Sequence, residues 1–162
     1  MNILYREATQ NDIELIATIR VSLINEDSGL TDGEKSTLYR NNFIYLQNAM
    51  KSGLYFAFLA YYGEKCVGTS SACLYSVLPG KKLPKGKQAY IQNVYVFPEY
   101  RRKGVGMELI RLTVCKAIKM GHSRITLSAT EKGSALFKKC GFVKVPDVGL
   151  TDMEYATDDW QS

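Results

Sequence analysis

The sequence predicts an α/β (α+β) fold, a mixed central sheet with helices on both faces, in a single domain spanning residues 1–162. Three observations point there. Apolar residues recur at helical spacing behind two helix-start signals early in the chain. Runs rich in aromatic and β-branched residues lie between positions 55 and 97. Beyond them, helix-like and strand-like stretches alternate, punctuated by glycine. The resulting order is β-α-α-β-β-β-α-β-α-β-β, which is not the regular alternation of a doubly wound domain.

Ile3, Leu4 and Tyr5 form a short apolar opening, read as an edge strand. Thr9-Gln10-Asn11-Asp12 is a capping box, its hydroxyl and carboxylate satisfying backbone N–H groups at a helix start. Ile13, Ile16, Ala17, Val21 and Ile24 follow at helical spacing. A second box, Thr31 to Glu34, opens a helix with Tyr39, Phe43, Leu46 and Met50 on one face, and Gly53 closes it where φ > 0 is often required. Tyr55 to Tyr61 and Cys66 to Val77 make a hairpin around the Gly63-Glu64 turn. Pro79 to Gln88 is a loop whose Lys81, Lys82 and Lys85, with neighbouring Lys87, read as solvated. A long strand from Ala89 to Phe97 stops at Pro98, which cannot donate to a ladder. A helix starting near Gly104 is lined by Met107, Ile110, Val114, Ala117 and Ile118, and ends at Lys119 and Gly121. Ile125 to Ser128 reads as a strand and Ala135 to Lys139 as a short helix stopped by Gly141. Val143 to Val145 and Met153 to Ala156 then close the sheet.

A chain of 162 residues buries about 70% of the surface its unfolded form exposes. With 46% hydrophobic residues it needs neither disulfides nor a structural metal to fold. Lys and Arg number 21 against 16 Asp and Glu, a net charge of +5 that draws anions without singling out nucleic acid. The segment Thr151 to Asp159 is acidic, so the basic excess lies upstream. Nothing resembles a recognition helix or a base-stacking platform, and no nucleic-acid partner is expected. Cys66, Cys73, Cys115 and Cys140 show no C-x-x-C spacing and no His at ligand distance; they read as small buried hydrophobes, with no metal. Residues 1–30 lack the pattern of a signal peptide and no window approaches a membrane span. A cytoplasmic monomer or homodimer without a membrane partner is the expectation.

The chemistry concentrates in Tyr90-Ile91-Gln92-Asn93-Val94-Tyr95-Val96-Phe97-Pro98-Glu99-Tyr100-Arg101-Arg102-Lys103-Gly104-Val105-Gly106. A strand leads into three consecutive cations, then glycines open a helix. A helix N-terminus presents unpaired N–H groups and about half a positive charge, which favour a phosphate. Gly104 and Gly106 remove side chains that would hold a pyrophosphate off the backbone. A dinucleotide fingerprint needs a third glycine where Leu109 stands, and a P-loop needs a glycine where Glu34 precedes Lys35-Ser36. The pattern therefore reads as a diphosphate site of another kind.

Arg101-Arg102-Lys103-Gly104-Val105-Gly106 resembles the Arg/Gln-x-x-Gly-x-Gly/Ala signature of the GNAT superfamily of N-acetyltransferases. A second block, Leu127-Ser128-Ala129-Thr130-Glu131-Lys132-Gly133-Ser134-Ala135-Leu136-Phe137-Lys138-Lys139-Cys140-Gly141-Phe142, is similar to that family's later strand and helix. The resemblance spans nearly the whole chain and is weakest before residue 55. It implies a GNAT-like splayed sheet, parted between the strands at Val94 and Leu127, with acetyl-CoA as acyl-donor cosubstrate. The pantetheine arm would lie in the parting and bond backbone groups of Val94 and Val96. The pyrophosphate would sit on amides between Arg102 and Gly106, beside Arg101 and Lys103, and the adenosine near Ser134 and Lys138.

The implied activity is transfer of acetyl to a primary amine, on a small molecule or a protein or peptide, by direct attack on the thioester. A lysine-type amine of pKa about 10.4 is neutral in only about one molecule in a thousand near pH 7, so a proton acceptor helps. Holding both reactants together lowers a barrier by roughly 7–11 kcal/mol, so positioning can outweigh acid–base help. An N–H near Val96 is expected to donate to the developing oxyanion. Relatives often carry a glutamate on this strand; the matching positions are Tyr90 and Gln92, which share a face and hold no carboxylate. The family's general-acid tyrosine aligns with Phe137, which has no proton to give. A thiolate of pKa about 8.5 leaves without a dedicated acid; Tyr90, Tyr95 or Tyr100 taking over one role is the other route. The missing groups also raise an alternative, a regulatory module that binds acyl-CoA with little turnover. Glu26, Asp27, Asp32, Asp152 and Glu154 are the acids placed to hold a cationic acceptor, and His122 reads as a surface residue.

Overall fold

Among the described residues five strands form one sheet in the order β1-β2-β3-β4-β5: β1 (Leu4–Glu7), β2 (Tyr55–Tyr62), β3 (Lys65–Ser76), β4 (Lys87–Val96) and β5 (Arg124–Thr126). The structure is a computed structural model in which residues 2–145 are described. The first three junctions are antiparallel and β4–β5 is parallel, so the last needs a crossover, supplied by helix α3 (Val105–Lys119). Helices α1 (Ile13–Ser28) and α2 (Asp32–Lys51) precede β2, and α4 (Glu131–Lys139) follows β5.

The strict alternation of β2 divides the core. Ala57 and Leu59 face Ile16, Ala17, Leu46 and Ala49 of α1 and α2. Phe56, Phe58 and Ala60 face the opposite side, where α3 packs with Leu109 and Ala117. Each fully buried side chain of this kind, such as Ile16 or Leu59, contributes about 1.5–3 kcal/mol relative to exposure. Within the core, the Thr113 hydroxyl of α3 donates to Ser70 Oγ of β3 at 2.9 Å, and both residues are fully buried.

Both capping boxes form. Thr9 and Asp12 close a single 3-10 turn (Gln10–Asp12) that leads into α1, and Asp12 also takes two bonds from Arg6 at 2.7 and 2.8 Å. Thr31 and Glu34 cap α2 reciprocally. Gly53, Gly121 and Gly141 close their helices with φ of 72°, 84° and 91°.

Four boundaries differ from expectation. The sheet resumes at Lys87, so that lysine belongs to β4. Strand β5 spans Arg124–Thr126 and ends before Leu127. Helix α4 begins at Glu131, because Thr130 accepts from the Gly133 amide as an N-cap; its polar first turn gave no apolar periodicity. Val143 and Val145 are exposed and form no strand. The expected strand Met153 to Ala156, and the acids Asp152 and Glu154, lie outside the described residues. Among those described, no helix is long and apolar enough to cross a membrane.

Candidate functional site

Three residue pairs join β5 to β4: Gln88 with Arg124, Ala89 with Ile125 and Tyr90 with Thr126. Beyond Tyr90 the two strands part, leaving residues 91–96 of β4 without a neighbour on that side among the described residues. On its other side β4 is bulged: its register with β3 shifts between Thr69 and Ser71, and Asn93 takes φ 53°. Asparagine is one of the few residues that visits this region readily. The bulge breaks the alternation. Ile91, Val94 and Val96 pack toward α3, whereas Gln92, Asn93 and Tyr95 all face α1 and α2.

At the far end of β4, a 3-10 turn at Pro98–Tyr100 leads to Arg102 with φ 62° and Gly104 with φ 82°, and α3 starts at Val105. Gly104 offers no side-chain cap, and among the described residues no acceptor meets the backbone amides of residues 102–107. Successive free amides beside a helix N-terminus form an anion cradle. Val105 contributes by its backbone only, since its side chain is buried in the core. A Cβ on Gly106 would come within 3.3 Å of Leu136 in α4 and 3.5 Å of Val96, so glycine there lets both approach. Ser134 and Lys138 lie one helical turn apart on α4, the helix whose Leu136 meets Gly106.

The three cations of the turn divide their tasks. Arg101 donates Nε to the Val96 carbonyl at 2.7 Å and Nη2 to Glu26 at 2.8 Å, and lies over the Tyr95 ring. Lys103 donates to the Glu99 carbonyl at 2.8 Å and lies over Tyr100. Arg102 is exposed, without a bonded partner among the described residues. The Val96 carbonyl is thus engaged within the fold, while Val94 sits at the open stretch of β4. Tyr95 donates to Glu26 at 2.9 Å. Arg101 first, then Tyr95, holds the Glu26 carboxyl below its ordinary range. That carboxylate is therefore engaged by the protein's own guanidinium. Asp27 and Asp32 are exposed, Asp32 facing Lys35 at 3.6 Å.

Tyr90 and Gln92 do share a face. Tyr90 pairs across the sheet with Cys73, and Gln92 Nε2 donates to the Cys73 thiol. The Tyr45 hydroxyl lies 3.1 Å from the same sulfur. Burial, then the thiol, pushes Tyr45 up to about 12, and burial also raises Cys73, so both stay protonated near neutral pH. Gln92 and Asn93 open onto a cavity of about 60 Å³ between β4, α1 and α2, which Arg20, Asn42, Tyr45 and Tyr55 also line and, among the described residues, no carboxylate does. Of these, only Gln92 stood out in the sequence. Tyr45 lies off the apolar stripe of α2, and the bulge that turns Asn93 inward has no local signature beyond the tolerance of asparagine for it.

Phe137 packs edge-on against Phe142, centroids 6.0 Å apart. His122 is buried, not on the surface as expected: its amide bonds back to the Ala117 carbonyl and folds it onto the end of α3. All four cysteines are free and half-buried. Among the described residues no group of His, Cys, Asp and Glu is arranged to hold a metal ion.

The sequence profile of the Acetyltransferase (GNAT) family matches residues 20–142. No curated protein matches the chain. Solved structures share the fold. A predicted acetyltransferase with acetyl-CoA from Clostridium acetobutylicum superposes with a TM-score of 0.80 at 23% identity, over 94% of this chain and 96% of that one. A GCN5-related N-acetyltransferase from Ralstonia eutropha JMP134 gives 0.82 at 22% identity, over 96% and 99%. Glucosamine-6-phosphate N-acetyltransferase from Arabidopsis thaliana gives 0.68 at 14% identity, over 96% and 99%.

Proposed function

This chain belongs to the GNAT acetyltransferase family, and from that premise we propose that it transfers an acetyl group from acetyl-CoA to a primary amine. The observation that carries the reading is the parting of β4 from β5 next to a run of unbonded amides at residues 102–107. The residues fit the group. The amides and Arg102 suit a diphosphate, the open edge at Val94 suits an extended amide-bearing arm, and Ser134 and Lys138 of α4 are the polar side chains we assign to the adenosine end. Bound there, acetyl-CoA supplies an acyl carbon activated by a good leaving group.

The chain's own contribution is positioning. Gln92 and Asn93 present amides, not carboxylates, to the cavity beside the bulge. They orient the acceptor and a water without holding its proton, and the amine reacts from its neutral fraction. Tyr90 stands at the mouth of the parting, opposite Cys73 and Thr126. That no carboxylate among the described residues lines the cavity also favours a second reading, an acyl-CoA sensor with little turnover.

One experiment separates them: thiol release from acetyl-CoA over a panel of primary amines, with calorimetric CoA binding on the same protein. Release with at least one amine is the expected result. CoA binding without release from any amine supports the sensor, and absence of CoA binding removes both readings.

A further inference from the structure

Two groups in the cavity beside the bulge have unmet bonding capacity among the described residues, although the Asn93 amide lies beside the Tyr55 hydroxyl. Asn93 is 6% exposed, and its Oδ1, a buried acceptor, meets no donor among the described residues. Leaving such an atom unpaired is costly, and most buried polar atoms in folded proteins are bonded. Arg20, one turn beyond Ile16 on α1, is half-buried and lines the same cavity. Among the described residues it forms no ion pair, although six other ion pairs are present. Its charge is felt inside, where it acts on the Cys73 thiol.

The two groups differ in chemistry. Asn93 Oδ1 accepts and so suits the N–H of an amine, whereas a guanidinium donates in a planar fork that matches a carboxylate. Among the described residues no carboxylate lines the cavity, so none of them competes for Arg20 or draws a second cation. The cavity is small, about 60 Å³, and opens to solvent, so a carboxylate or an aminomethyl group enters it while the rest of an acceptor stays at its mouth.

We infer that the acceptor is a small amine bearing its own carboxylate, an amino-acid-like molecule whose anion pairs with Arg20 while its amine donates to Asn93 Oδ1. This deepens the acetyltransfer reading and rests on it for the reaction, though not for the binding. The cavity lies beside the bulge where β4 leaves β5, so an amine held on Asn93 faces the region assigned to the thioester.

The test uses matched pairs: the common L-amino acids, β-alanine and 4-aminobutyrate, each against its primary amide or decarboxylated amine, with aminoethyl phosphate as a further anion. Binding is read by calorimetry with CoA present, and turnover by thiol release. The expected result is at least a tenfold preference for the carboxylated member of some pair, in binding and in kcat/KM. In Arg20→Gln the ratio falls to within about threefold, with the change in KM; Arg20→Lys keeps part of the preference. Equal binding of both members, no binding of either, or tighter binding of the phosphate overturns the inference. So does a preference that survives Arg20→Gln in a protein whose melting temperature is unchanged. Selective binding without thiol release upholds the pocket and sinks only the acetyltransfer reading. If CoA does not bind, the pairs measured without it still decide the pocket.

Discussion

Arg101 reaches back from the turn to grip Glu26 at the end of α1, its Nη2 2.8 Å from the carboxylate, while its Nε holds the Val96 carbonyl. The first cation of the proposed phosphate site therefore has an internal competitor. Both side chains are 40–46% exposed, so the pair contributes about 0.2–1 kcal/mol. Glu26→Gln is expected to tighten CoA binding by no more than about fivefold, the factor that energy allows, with the gain shrinking at high salt. Weaker binding in the variant, measured by calorimetry, would show that Glu26 positions Arg101 rather than competing for it.

Gly104→Glu is expected to weaken CoA binding by more than about a hundredfold, a loss of roughly 3 kcal/mol. Space is not the reason, since nothing lies within 4 Å of an added Cβ. A side chain at φ 82° is strained by about 1–3 kcal/mol, and its carboxylate meets the anion the amides are meant to hold. A melting temperature lowered by only a few degrees would separate lost binding from unfolding.

Since no carboxylate among the described residues lines the proposed acceptor cavity, kcat/KM in the wild type should rise about tenfold per pH unit through the neutral range, following the neutral amine. Gln92→Glu supplies a proton acceptor at the position facing the cavity. It should flatten that slope and raise the neutral-pH rate by about tenfold or more, within what general bases contribute. An unchanged slope in the variant would place proton removal elsewhere.

Asp12, gripped by Arg6 and by Thr9, is held down to about 2 from an ordinary 3.8, a difference worth about 2 kcal/mol. The depressed carboxyl binds fewer protons folded than unfolded. Its stabilisation is therefore complete above pH 4 and is lost as pH falls toward 2. Asp12→Asn should cost about 1–3 kcal/mol at neutral pH and remove that part of the acid limb, as urea unfolding at pH 2, 4 and 7 will show.

What the sequence revealed, and what it hid, follows from how local each determinant is. Thr9 with Asp12 and Thr31 with Glu34 act within four residues, and both caps were readable. The turn into α3 at Arg102 to Gly106 was readable too, since cations and glycines there are contiguous. The bulge at Asn93 was not, because it is imposed by β3 across the sheet; strict alternation placed Gln92 correctly and said nothing of Asn93, Tyr45 or Arg20. His122 was misjudged for a similar reason, its burial arising from how the chain turns at Gly121. The engagement of Arg101 by Glu26 joins residues 75 apart, beyond any motif.

Helix α4 contains no buried residue, and among the described residues only three pairs bind β5 to the rest of the sheet. A ligand lying along β4 and touching α4 would thus act as a splint across the weakest seam of the described structure. Resistance to heat and to hydrogen exchange in residues 124–139 should then climb with CoA concentration, by mass action, more steeply than in the antiparallel half. The catalyst would be mechanically whole only while loaded.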